Sequence, residues 1–158
     1  MKIPDSSKII NLATLLGLVV VLFVIYKILA SVGLISTPAS RKAAADKLAA
    51  RQQLLSSEYF SPTYFHDHLG EYTSIGQDAS YAYADRIYEA LGSISSITTD
   101  FDAIQGVFLS LNCKTNISEV AGGYAVNHSA YLNKDLSDGL SDNKCLELMN
   151  IINKLPNT

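Results

Sequence analysis

Between Ile9 and Tyr26 the chain reads IINLATLLGLVVVLFVIY, without one charged residue and with only Asn11 and Thr14 as polar side chains. Continued through Lys27 to Ile35, the stretch is long enough, at about 1.5 Å of rise per residue, to cross hydrocarbon about 30 Å thick. A helix is the form suited to this, because it satisfies its backbone hydrogen bonds internally. A buried core helix is disfavoured by the length of the run and its freedom from charge. A cleaved signal peptide would use Lys2 and Lys8 as its positive flank, but the apolar run exceeds an ordinary signal core. An uncleaved transmembrane helix over residues 9–35, behind an N-terminal flank of residues 1–8, is therefore expected. No cysteine lies near it to take a lipid.

That run explains a composition of 48% hydrophobic and 17% charged residues, where a globular chain carries about a quarter charged. Charge is also unevenly placed. Residues 1–56 hold seven Lys or Arg against two Asp, a net +5, whereas residues 57–158 hold five against thirteen acids, a net −8. An acidic domain repels phosphate backbones, which excludes a nucleic-acid partner. The flanking cations Lys8, Lys27, Arg41 and Lys42 are the ones that would lie at headgroup level, and their bias places the C-terminal domain on the cytoplasmic side.

After the span, Thr37 and Pro38 form a helix start, with the hydroxyl as cap and proline at the first position. Residues 36–56 then have strong helix formers and a thin apolar face, chiefly Leu48 and Leu55, which describes a stalk. Residues 57–77 are irregular and aromatic. Tyr59, Phe60, Tyr64, Phe65 and Tyr72, in a Pro- and Gly-punctuated segment, predict a connector packed on the domain that follows, or alternatively a partner-binding patch.

Residues 78–158 carry five helical patterns. Ala84, Ile87, Tyr88 and Leu91 end at Gly92; Ile104, Val107, Phe108 and Leu111 follow a Thr99–Asp100 start. Ile117, Val120, Ala121 and Tyr124 follow an Asn116 cap with Glu119 three residues on, weakened by Gly122 and Gly123. Leu132, Leu136 and Leu140 make a short fourth helix, and Cys145, Leu148, Met149 and Ile152 a fifth after Ser141, ended by Pro156. Five short helices, each with one apolar stripe, must bury those stripes against one another, so the fold class is all-α.

The runs ADRIYEALG, DFDAIQGVFLSL and DLSDGLSDNKCLELMNIINKLP resemble an annexin-like repeat. The likeness is to single annexin-like domains behind an N-terminal membrane helix in proteins of Bacteroidetes and their phages. It covers about half the chain and implies a five-helix unit, four helices in a bundle and the third crossing it. The annexin calcium loop is absent: Gly92-Ser-Ile-Ser-Ser-Ile-Thr-Thr-Asp100 offers one carboxylate where a hard cation needs several converging oxygens. Calcium-dependent lipid binding is not carried over, and no cofactor is expected. In the implied arrangement Cys113 and Cys145 lie at opposite ends of the bundle, too far apart for a disulfide, so both are expected as free, buried thiols.

No constellation makes a convincing catalytic site. His66-Asp67-His68 places two histidines on one face of an extended segment, but structural zinc wants four ligands. Nucleophilic catalysis needs a Ser or Cys beside a positioned base; no Gly-x-Ser-x-Gly elbow or phosphate-binding loop occurs. Glu58, Glu71 and Glu89 supply carboxylates for a hydrolase, yet acids are common on this domain. The sequons at Asn116 and Asn127 are short enough to arise by chance. The chain is therefore read as non-enzymatic: a minor structural membrane protein of a phage virion, joining an internal lipid bilayer to capsid or neighbouring proteins. The alternatives are a bacterial inner-membrane adaptor and a membrane-bound cell-wall hydrolase.

Overall fold

The computed structural model describes residues 19–29, 37–92 and 99–158, and every regular element among them is helical. In chain order these are α1 (19–29), α2 (Pro38–Ser56), α3 (Gln77–Ala90), α4 (Phe101–Ser110), α5 (Lys114–His128), α6 (Leu132–Gly139) and α7 (Asp142–Ile152), with 3-10 turns at Glu58–Phe60 and Tyr64–His68 between α2 and α3. The chain divides into two units, Met1–Ala44 and Ala45–Thr158, the boundary falling within α2.

In the first unit α1 is apolar on every side except at Lys27, whose ammonium stands 5.6 Å from the Phe23 ring centroid. The expected transmembrane helix is corrected here. Among the described residues no helix is long and apolar enough to cross a membrane. The longest helix among the described residues, α2, carries Arg41, Lys42, Asp46, Lys47 and Arg51. The rest of the expected span, residues 9–18 and 30–35, and Lys8 lie outside the described residues. That finding overturns the expected single-pass topology and membrane localisation. Nothing among the described residues supports the phage, virion or inner-membrane settings.

α2 begins as its sequence directs. Thr37 Oγ1 accepts from the Ser40 amide at 3.1 Å, with Pro38 at the first helical position. Its inward face is not the one expected, however: Leu48 and Leu55 are 58% and 46% exposed, while Ala50 and Leu54 are buried. Arg51, one turn before Leu55, decides the rotation. Its guanidinium reaches the α6–α7 turn, donating to the carbonyls of Ser137 and Leu140 and pairing with Asp142 at 2.8 Å. The C-terminal half of α2 is thus part of the second unit and no free stalk.

Within that unit the inward residues follow from periodicity. Ala84 and Ile87 of α3, Ile104, Val107 and Phe108 of α4, Leu132 and Leu136 of α6, and Cys145, Leu148, Met149 and Ile152 of α7 are all buried in one cluster. Asp100 caps α4 by accepting from the Ala103 amide at 3.0 Å, and Gly92, at φ +92°, ends the turn after α3 in the left-handed region that glycine tolerates. α3 lies against both α4 and α5, and α4 against α7.

α5 departs from its expected start. It begins two residues before Asn116, and its first-turn amides are satisfied by the C-terminal tail: Lys114 N donates to Pro156 O at 2.8 Å and Thr115 N to Asn157 O at 3.3 Å. Asn116 is buried inside the helix, accepting from the Asn112 amide and donating to Thr73 O. Both cysteines are buried and free, and burial pushes the Cys145 thiol above its ordinary pKa.

Candidate functional site

α5 organises the surface with the most evident capacity for binding. Ser118, fully buried, donates to Ser61 O at 2.5 Å and accepts from the Phe65 amide at 3.0 Å, which fixes the turn Tyr64–His68 against the helix. The next residue, Glu119, gathers four donors. Its carboxylate accepts from Tyr72 Oη (2.9 Å), from the Ser74 hydroxyl, from Ile75 N (2.9 Å) and from Asn116 Nδ2 (3.3 Å). Charge-assisted bonds of this kind are the stronger class, and together they close residues 72–75 onto α5.

The next turn carries Gly122 and Gly123. A Cβ at Gly123 would stand 2.9 Å from Ser80 O, so α3 approaches this closely only because no side chain intervenes. At Gly122 a Cβ would have ordinary contacts with Pro62 O and Phe65. The pair read as a weakness in the sequence is the floor of a groove. Pro62, Phe65 and His66 form one wall, Gln77 and Tyr81 of α3 another, and Glu119 and Val126 of α5 lie along its length, around a cavity of about 540 Å³. Beyond Val126, Asn127 Nδ2 donates to Asp85 at 2.9 Å and His128, stacked on Tyr88 at 3.9 Å, lies 3.0 Å from the same carboxylate. These contacts hold α3 and α5 together at that end.

The five aromatic candidates are dispersed. Phe60 is in the core, 6.3 Å from Phe108 between ring centroids, and Tyr59 packs half-buried beside it. Tyr64 lies against the His68 ring. Tyr72 is spent on Glu119; burial first, and then that carboxylate, push its ionisation well above the ordinary tyrosine range. Phe65 alone of the five lines the groove. The residues that sequence reasoning did not single out here are Ser118, Tyr81 and Val126, together with the glycine pair in its role as floor; two adjacent glycines inside a helical pattern were the available signal of close packing.

His66, Asp67 and His68 sit in a 3-10 turn, where the His66 ring lies tilted against Phe65, 4.0 Å between centroids, and His68 Nδ1 lies 3.0 Å from Tyr64 O. Among the described residues no group of three or more His, Cys, Asp or Glu is placed to hold a metal ion. Glu58, Glu71 and Glu89 stand exposed on three separate segments. No protein-family model, curated protein or solved structure matches the chain, so nothing there bears on the annexin-like resemblance.

Proposed function

We propose that residues 45–158 form a docking head whose working face is the groove between the 61–66 turn, α3 and α5, and that its occupant is part of another polypeptide. The observation that carries this reading is the groove itself: a glycine floor between aromatic walls, with Val126 at its rim 66% exposed. Its volume suits one or two apolar side chains, and anchoring by a few such side chains in a rigid pocket is how protein interfaces concentrate their affinity. The rigidity has a visible source in Ser118 and Glu119, which fix the wall opposite α3.

Site-specific photo-crosslinking tests it. A photoreactive residue at Val126 is expected to give one defined protein adduct in the native cell, suppressed when Gly122→Leu fills the groove. The same residue at Leu109, equally exposed on α4, is expected to give none. Equal labelling from both positions, or labelling insensitive to Gly122→Leu, would overturn the assignment.

A further inference from the structure

We infer that the groove is built for a basic polypeptide segment that inserts an aliphatic side chain between flanking lysines or arginines. The inference rests on the docking reading above and adds the chemistry of the partner. Carboxylates stand at both ends of the groove: Glu119 lines one, and Asp85 lies just past Val126 at the other, its side chain 52% exposed. Asp67 and Asp78 are exposed and directly follow the lining residues His66 and Gln77. Among the described residues no Lys or Arg side chain forms an ion pair with any of these four acids.

The hydrogen bonds made by Glu119 and the contacts of Asp85 orient their carboxylates without cancelling their charge. Arg86, the cation on α3, lies on the α4 side, its guanidinium 3.8 Å from where a Gly106 Cβ would stand. The negative field of residues 45–158, which hold seven Lys or Arg against fourteen acids for a net charge of −7, therefore falls on the groove without a local counterion. An apolar anchor alone would fill the cavity and leave that field unanswered; an acidic partner would be repelled. Complementary charge steers association and selects the partner, while the buried anchor holds it.

Fluorescence anisotropy with the full chain and three labelled twelve-residue peptides tests this: one leucine flanked by lysines, the same peptide with serine for leucine, and one leucine flanked by glutamates. The lysine–leucine peptide is expected to bind, and to weaken about tenfold or more on loss of the leucine, as for a hot-spot anchor. Val126→Lys and Asp78→Lys, both at exposed positions, are expected to weaken it similarly, with circular dichroism confirming an unchanged fold. Binding should also fall as salt rises, since exposed charges are screened. Equal binding of the glutamate peptide, or indifference to both lysine substitutions, would overturn the inference. If the glutamate peptide binds and Gly122→Leu abolishes it, the docking reading stands and the basic partner falls; if neither leucine peptide binds, both fall.

Discussion

The connector, residues 57–76, and the helices that follow it are built by different means. The helices are held by apolar stripes that meet in one cluster, from Ala84 on α3 to Ile152 on α7. The connector contributes Phe60 to that cluster, but it is fixed mainly by polar ties to three residues of α5, Asn116, Ser118 and Glu119. Burial is non-directional and spread over many residues, so no single contact positions a helix. Hydrogen bonds are directional and few, so the connector's path hangs on three side chains. The groove lies along the seam between these regimes.

The comparison breaks first in the core. Phe108→Asp, at a site 1% exposed, buries an unpaired charge and is expected to cost more than about 4 kcal/mol, abolishing the cooperative melt of the head. A folded, soluble variant would show that α4 faces the wrong way. Leu54→Ala should cost about 2–5 kcal/mol in urea unfolding, the range for a fully buried leucine; that value would place the C-terminal half of α2 in the same cooperative unit as the helices.

Glu119→Gln sharpens the other side. It removes the charge from four hydrogen bonds at once and is expected to cost about 1–3 kcal/mol. The loss should concentrate in the connector: hydrogen exchange at Ile75 rises while the amides of α4 and α7 keep their protection. Uniform loss of protection would mean that connector and helices open together.

Alkaline pH separates the two regions by a different route. Burial, with the Glu119 carboxylate beside Tyr72 and the Asp135 carboxylate beside Tyr124, raises both ionisations above the ordinary tyrosine value of about 10. In the unfolded chain these phenols ionise first, so their stabilisation is complete below about pH 10 and is lost as pH climbs towards the folded-state values. The denaturation midpoint is expected to fall above pH 10. Tyr124→Phe should flatten that fall for the helices, and Tyr72→Phe only for the connector. The smallest effect belongs to Leu48→Ala, expected within about 0.5 kcal/mol of the parent because the side chain is 58% exposed. A cost like that of Leu54 would restore the face first read from the sequence.

Periodicity made α3, α4, α6 and α7 legible, because each has one buried stripe and a polar remainder. It was blunter where that condition fails. α5 buries Thr115, Asn116, Ser118 and Gly123 as well as Ile117, Val120, Ala121 and Tyr124, so its polar residues looked like a cap and its glycines like a defect. On α2 the two faces differ little, Ala50 and Leu54 against Leu48 and Leu55, and the choice was made by Arg51 reaching carbonyls 86 and 89 residues away in sequence. Of the groove, the sequence singled out Phe65, His66, Glu119 and the glycine pair without joining them; its other wall comes from α3 and its floor from α5.

By itself the sequence determined that residues 78–158 carry helical patterns, which residues of four helices face inward, and that the head is acidic. These follow from neighbours three or four positions apart and from counting charges. Only the tertiary structure decided how α2 is rotated, that the C-terminal tail caps α5, that Glu119 clamps the connector, and that two glycines open a groove. Each of those joins groups far apart in the chain. Their energies depend on distances that no local pattern encodes.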